Sequence, residues 1–285
     1  MRAHAEPTQS APLGPPTAWF AAARSHALLI ALSLLSLLPL YWMIVTALRP
    51  ENEIFSTAPW PENPTLDNVR RILDGMPLFR MLANTALVAA ASTAAQLVTA
   101  LLAAYAFARW RNRWTRAIFG LLTLTWLIPA QVIMVPNYLL VTSFGMLDTL
   151  AALILPHVAS AFAIMLLYQS LRAFPEELID AAITDGAGNW HILWRVIVPN
   201  VRPALASLGI LLFISSWNDY FWPLLVTRSP DSAVIQIGLQ MFFTQEGNQW
   251  GPLMAAASVA SLPILAIYAV LQKQIVESFL HSGLK

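Results

Sequence analysis

The sequence has no cysteine, only two lysines and little charge of either sign. Asp, Glu, Lys and Arg make up 11% of the 285 residues, whereas hydrophobic residues make up 58%. Soluble domains carry about 25% charged and about 45–50% apolar residues, so this chain has too few charges to cover a water-exposed surface. The composition also excludes an intrinsically disordered chain, which needs low hydrophobicity and high net charge. The membrane is the environment that remains.

Several kinds of chemistry are excluded by what is missing. Without cysteine there is no disulfide framework, thiolate zinc site or thiol nucleophile. The GxxxxGK[ST], GxGxxG, HExxH and GxSxG motifs are absent, and the five histidines are scattered. A net charge of +1 provides no polybasic surface for nucleic acid. We therefore predict that this chain has no catalytic residues, no metal site, no cofactor and no nucleic-acid partner.

Long stretches with few or no charges indicate six membrane-spanning helices, because a span needs about 20 mostly apolar residues. The runs do not alternate as the strands of a membrane barrel would. The predicted spans cover residues 25–48, 81–108, 117–137, 149–171, 203–227 and 252–272. Pro129 and Pro136 should end or kink the third span, with a loop or re-entrant piece after Pro136. The fifth span contains one charged residue, Asp219. The predicted fold class is an all-α membrane protein.

Arginines in the short loops predict the orientation. Four of them lie within residues 109–116, between the second and third spans. Positive residues favour the cytoplasmic side, so we predict that this connection, both termini and residues 174–202 are cytoplasmic. Residues 1–24, rich in Pro and Ala, are predicted to be a disordered tail. The six-span domain then covers residues 25–278, and residues 279–285 form a C-terminal cytoplasmic tail.

Residues 174–202 are the most polar stretch on the predicted cytoplasmic side. Pro175 and the acidic residues after it suit the first turn of a helix, and Asp185-Gly186 suits its end. Asn189 suits the N-cap of a second, apolar-faced helix. The sequence thus predicts a helix, a glycine turn and a second helix. Two interpretations stay open at this point: a rigid element on which a partner docks, or an ordinary connector at the membrane interface.

This segment resembles the EAA loop of ABC importer permeases, in which EAA is followed by three residues, Gly, nine residues and I-x-LP. The chain has Asp180-Ala181-Ala182, then Gly186, then VIVP at 196–199, so Asp replaces the usual Glu and Val replaces Ile and Leu. The resemblance extends over nearly the whole chain to the carbohydrate branch and its maltose-permease-like second subunit. The stretches that carry it are NTALVAA, AYAFARW, IPAQVIMVPNYLL, GMLDTLAALILP, WNDYFWPLLV and QKQIVESFLHSGLK.

The resemblance implies one half of a type I importer permease in the inner (plasma) membrane, surrounded by lipid. It implies a second, different permease chain, two ATPase subunits that bind ATP and Mg²⁺ and dock on the EAA loops, and an external solute-binding protein. This non-catalytic chain would translocate a sugar or oligosaccharide by alternating access. The ATPase-coupling residues that it implies are Glu177, Asp180, Ala181, Ala182, Asp185, Gly186 and Pro199.

Aromatic and planar polar groups of the third and fifth spans suit a sugar pathway, although an aromatic belt at the membrane interface would use the same residue types. The candidates are Gln131, Asn137, Tyr138, Trp217, Asn218 and Asp219. His157 is predicted to be packed or hydrogen-bonded. Two other functions stay open. A glycerol 3-phosphate or other polyol-phosphate permease would want Arg or Lys in its cavity, and a stand-alone secondary carrier would want intramembrane coupling charges.

Overall fold

The computed structural model describes residues 16–244 and 247–283, which are mostly helical, and the predicted all-α class is confirmed. The α-helices are α1 Pro16–Ala47, α2 Asp67–Gly75, α3 Leu78–Arg109, α4 Arg113–Thr125, α5 Ala130–Ser143, α6 Leu150–Ile154, α7 Ala161–Arg172, α8 Glu176–Thr184, α9 Asn189–His191, α10 Val198–Asn200, α11 Arg202–Trp217, α12 Phe221–Val226, α13 Ile235–Gln240 and α14 Trp250–Gly283. Short 3-10 turns occupy Glu51–Glu53 and Leu155–His157, and a π-helical stretch, Ile192–Ile197, joins α9 to α10. Strands β1 Phe243–Thr244 and β2 Gly247–Asn248 pair antiparallel.

Within the described residues, three helices are long and apolar enough to cross a membrane unaided. They are Arg24–Ala47 of α1, all of α3, and Trp250–Gln272 of α14. Three bent helix pairs pass the same test together: Arg113–Thr125 with Ala130–Ser143 at 99°, Leu150–His157 with Ala161–Arg172 at 45°, and Asn189–Asn200 with Arg202–Trp217 at 78°. The number of spans is six, as predicted, if each bent pair counts as one. The bounds differ for the fifth, because its first piece, Asn189–Asn200, lies in the segment predicted as a cytoplasmic loop and its second piece ends at Trp217.

Both ends of the predicted domain differ from the structure. Helix α1 begins at Pro16, so the prediction of a disordered tail is wrong for residues 16–24, while residues 1–15 lie outside the described part. Helix α14 continues to Gly283 and therefore includes most of the segment predicted as a C-terminal tail.

The breaks inside the spans also differ from the predicted ones. The third span breaks after Thr125, and Pro129 is the N-cap of α5, where its missing N–H costs nothing. Pro136 lies inside α5, so the residues after it are helical and the predicted loop is wrong. The 99° bend before α5 matches a broken span or a re-entrant piece, the other alternative of that prediction. The predicted fifth span also breaks, which was not predicted: α11 ends at Trp217 and α12 begins only at Phe221, with Asp219 between them.

The core consists of three buried clusters that hold these pieces together. Small residues of α3, such as Ala100 and Ala104, let α7, the π-helical stretch and α11 approach closely. A second cluster around Met81 joins α2, α13 and α14 to the start of α3. A third, around Trp222, joins α6 and α12 to α3 and α5. Helix α3 contributes to all three clusters and is therefore the central scaffold.

Candidate functional site

The segment between α7 and α11 folds as a helical hairpin, as predicted. Helix α8 begins after Pro175, and the chain reverses at Gly186, whose φ of +82° is the left-handed conformation that glycine adopts at little cost. The Ala187 N–H donates to the Ala182 carbonyl at 2.9 Å, which closes the turn. The N-cap of the second helix is Gly188, whereas Asn189, predicted as the cap, is its first residue.

One face of this hairpin is fixed to the bundle. Ile192, Leu193 and Ile197 are buried among residues of α3, α7 and α11. The Tyr105 hydroxyl of α3 donates to the Asn189 carbonyl at 3.2 Å. Arg111 Nη2 donates to Glu176 Oε1 at 2.7 Å, an exposed pair worth about 0–1 kcal/mol. The apolar contacts therefore hold the hairpin in place, and the ion pair adds little.

The opposite face presents most of the predicted coupling residues. Those with exposed side chains are Glu177, Asp180, Ala181, Asp185 and Pro199. Ala182 packs against the core, and Gly186 builds the turn. A groove of about 210 Å³ lies beside this face, where Asp180 of α8 and Arg109 of α3 both line it. The exposed face of the hairpin is thus small and acidic.

A cavity of about 630 Å³ lies among the broken helices. Its polar and aromatic lining residues are Thr85, Gln96, Thr125, Trp126, His157, Ser160, Phe162, Ser215, Ser216, Asp219 and Trp222. Asp219 is the carboxylate among these lining residues, and the described lining includes no arginine or lysine. In membrane proteins, breaks in helices are tolerated where they line a cavity, and such cavities are solute sites in many transporters.

The structure brings only one of the six predicted pathway residues into the lining of this cavity. That residue is Asp219. Trp217 is 2% exposed, and its indole N–H has no partner in the described structure. Asn218 ends α11, and its Nδ2 donates to the Ile214 carbonyl at 2.9 Å. Tyr138 packs in the cluster around Trp222. Gln131 and Asn137 are likewise not among the lining residues.

Several residues that line the cavity were not predicted from the sequence. Gln96 follows Thr85 on α3 at helical spacing, which is a weak signal because one polar stripe can equally face another helix. Trp126 and Phe162 sit at breaks between helices that hydropathy did not locate. His157 is hydrogen-bonded as predicted: its Nδ1 is 3.2 Å from the Leu153 carbonyl oxygen, and its ring meets the edge of Trp222.

The segment 228–235, which follows α12, is held beside the cavity by Asp148. The Asp148 carboxylate accepts hydrogen bonds from the N–H groups of Arg228 and Ser229 at 2.8 and 2.9 Å and from the Ser232 hydroxyl. The Ser232 hydroxyl, followed by the two N–H groups, lowers the pKa of Asp148 well below its usual range. Asp148 therefore remains a carboxylate throughout the physiological pH range.

Helix α3 holds the same segment from the other side. The Asn84 side-chain amide donates to the carbonyls of Asp231 and Ala233, each at 2.9 Å. The Thr85 hydroxyl accepts from the Ile235 N–H at 2.8 Å. Val234, between these anchors, lines the cavity. The segment is thus pinned at both ends, and its Val234 forms part of the cavity lining.

Residues 96–280 match the family described as "Binding-protein-dependent transport system inner membrane component". The chain belongs to this family. The matched range covers the cavity-lining breaks, the helical hairpin and the Asp148-held segment. The permease is therefore a membrane subunit of an ABC importer, as the sequence resemblance predicted.

Individual relatives agree with this assignment. The permease is 29% identical over 257 residues to the lactose transport system permease protein LacG of Rhizobium radiobacter, covering 90% of this chain and 94% of that one. It is 30% identical over 269 residues to the sn-glycerol-3-phosphate transport system permease protein UgpE of Yersinia enterocolitica, covering 90% and 95%. In fold it is similar to a chain from the crystal structure of a bacterial ABC transporter involved in the import of the acidic polysaccharide alginate. That match has a TM-score of 0.77, 22% identity and coverage of 92% of this chain and 99% of that chain.

Proposed function

We propose that this permease imports a neutral carbohydrate delivered by an external binding protein. The observation that carries the proposal is the chemistry of the cavity, where hydroxyls, an amide, a carboxylate and aromatic rings occur together and the described lining has no arginine or lysine. Such groups suit sugar hydroxyls and C–H faces, whereas a phosphate ester is best bound by guanidinium or ammonium groups. The carboxylate of Asp219 would in addition repel an anion.

The proposal gives this chain a set of partners. A second, different permease chain completes the membrane domain, and two ATPase subunits that bind ATP and Mg²⁺ dock on the cytoplasmic side. We assign the docking role to the exposed acidic face of the helical hairpin, with both chain termini on the same side of the membrane. The ATPases drive alternating access only if they prefer one state of the bundle, because a partner with equal affinity for both states shifts nothing.

A second candidate solute is sn-glycerol 3-phosphate. The relatives that transport it are as similar to this chain as the lactose permease is. A cavity of this kind would accept a phosphate only if the partner permease supplied the cationic groups. Whether the cavity binds sn-glycerol 3-phosphate therefore depends on the residues of both permease subunits.

The test is uptake into liposomes that contain the complete complex and its binding protein. Lactose, maltose, raffinose and sn-glycerol 3-phosphate are compared at equal concentration. Each is tested with ATP on the side of the membrane where the ATPase subunits lie, and again with ATP only on the opposite side. We expect ATP-dependent uptake of at least one neutral sugar and none of the phosphate ester. Uptake of sn-glycerol 3-phosphate alone would refute the carbohydrate assignment.

A further inference from the structure

Gln96 is a buried polar side chain that lacks a protein partner. It is 9% exposed, it lines the cavity, and its amide makes no hydrogen bond within the described residues. One helical turn earlier, the Ser92 hydroxyl is also buried without a partner. The Gln96 amide is not among the fully enclosed polar atoms that lack a partner, so it is open to the cavity that it lines. A molecule in the cavity with both donors and acceptors would satisfy the Gln96 amide.

An aromatic platform lies in the same cavity. The rings of Trp126 and Phe162 stack, with centroids 6.1 Å apart and planes inclined by 29°. Both residues line the cavity, and Trp126 is 56% exposed. A wide aromatic face that stays open in a largely apolar pocket binds the flat, apolar side of a ligand, while a few polar groups fix the orientation of that ligand.

A pyranose ring has both features that these residues would recognise. Its C–H face is apolar, and its equatorial hydroxyls are donors and acceptors around the rim. We propose that Gln96, Trp126 and Phe162 form a sugar subsite within this chain, with the ring stacked on Trp126 and a hydroxyl pair bonded to the Gln96 amide. This subsite rests on the proposed function and deepens it, because it assigns solute recognition to this permease subunit as well as to the complex.

The positions of the Trp126 and Phe162 rings relate sugar binding to the bend angles of the broken helices. Trp126 follows α4 at the 99° break, and Phe162 opens α7 at the 45° break. A change in either bend angle moves one ring relative to the other. The platform therefore exists in one arrangement of the broken helices and is lost in another, which would release the sugar when the bundle changes state.

The test measures binding directly to the purified complete complex, without the binding protein. Equilibrium dialysis is performed with radiolabelled lactose, maltose, raffinose and sn-glycerol 3-phosphate. We expect Trp126→Ala and Gln96→Leu each to raise the dissociation constant for the bound sugar about tenfold, equivalent to about 1.4 kcal/mol. Trp126→Phe, which keeps an aromatic face, should retain most of the affinity.

Two matched variants control for general damage. Trp114→Ala changes an exposed tryptophan at the other end of α4, and Gln169→Leu changes an exposed glutamine of α7, and neither residue lines the cavity. Both should bind sugar like the unchanged complex. Co-purification of all subunits confirms assembly of every variant.

The outcomes separate the subsite from the proposed function. Unchanged sugar binding in both Trp126→Ala and Gln96→Leu would overturn the subsite and leave carbohydrate import standing. Failure of all three neutral sugars to bind the unchanged complex would also overturn it. Binding of sn-glycerol 3-phosphate alone would overturn the carbohydrate assignment together with the subsite.

Discussion

Asn84 shows how much one side chain can organise in this chain. It belongs to the NTALVAA stretch, one of those that carry the resemblance to importer permeases. In the structure its amide bonds two carbonyls that lie almost 150 positions further along the chain. No local pattern reveals such a role, because the two carbonyls become neighbours of Asn84 only after the bundle has folded.

Replacement of Asn84 by leucine should loosen the segment 228–235. Two carbonyls would lose their donor, and each unsatisfied buried group costs about 1–3 kcal/mol. We expect trypsin to cleave the purified complex after Arg228 faster in Asn84→Leu than in the unchanged protein. The matched control is Asn63→Leu, since within the described residues the Asn63 amide donates to the exposed Glu53 alone. Equal cleavage rates for the two variants would show that the amide does not hold the segment.

Asp148 should hold that segment independently of pH over a wide range. Its pKa is lowered, so its stabilising effect is complete above about pH 3.9, the ordinary value, and is lost only as the pH falls through the lowered pKa. We expect amide hydrogen exchange of residues 228–235, corrected for intrinsic rates, to show equal protection from pH 5 to pH 8.

Asp148→Asn is the informative variant because asparagine tolerates the φ of +64° at this position. It removes the charge and keeps the backbone conformation. Protection of 228–235 should fall at every pH in that range, whereas Asp74→Asn, an exposed change in α2, should have no effect. Protection in Asp148→Asn that matches the unchanged protein at pH 7 would contradict the argument.

At the scale of elements, local signals predicted the helical hairpin well and the helix breaks poorly. The hairpin follows from Pro175, Asp185 and Gly186, whose effects on the backbone act within a few residues. The third span contains two prolines with the same local chemistry, yet only Pro129 marks a break. Helix α5 continues through Pro136 and packs through Val141 against Trp222 and Val226 of α12, a contact that is not visible in the sequence.

Gly186→Val should uncouple ATP hydrolysis from transport. Space is not the obstacle, since no atom lies within 4 Å of an added Cβ. The φ of +82° is the obstacle, because left-handed backbone costs an L-residue about 1–2 kcal/mol and a β-branched residue is a genuine outlier there. We expect the turn to open and α8 to shift, so that sugar uptake falls while the chain remains inserted in the membrane.

Gly188→Val is a close control for that change. Gly188 also has free space around an added Cβ, but its φ of −75° and ψ of 163° suit valine. Transport should stay close to normal. Asp180→Arg provides a second route to uncoupling, since it reverses the charge on the exposed face and leaves the turn intact. Normal uptake by both Gly186→Val and Asp180→Arg, with the ATPases assembled, would refute the docking role.

The cavity illustrates why the site itself was only partly predictable. Asp219 was found because a charge inside an apolar run is conspicuous. Gln96, Trp126 and Phe162 were missed because nothing in the sequence distinguishes them from packed or interfacial residues until the helix breaks are known. Side-chain type indicated the chemistry of the site, and tertiary structure selected which side chains take part.

At the scale of the whole molecule, the absence of cysteine makes the predicted orientation easy to test. Thr57→Cys introduces a unique thiol in the loop after α1, and Ala173→Cys introduces one before the helical hairpin, both at exposed positions. We expect a membrane-impermeant maleimide to label Thr57→Cys in cells whose inner membrane is intact, and Ala173→Cys only after that membrane is permeabilised. The reverse pattern would invert the topology.

The broken helices also have a consequence for the life of the protein in the cell. At the breaks after α4, before α7 and before α12, some backbone N–H and C=O groups leave the helical ladder, and beside them lies a cavity rather than a filled core. Lipid cannot form hydrogen bonds with those groups, so a subunit without its partners should be less stable in the bilayer than an assembled one. Membrane proteases that survey unassembled subunits would remove it. We therefore expect extra synthesis of the chain alone to raise its turnover and not the number of transporters.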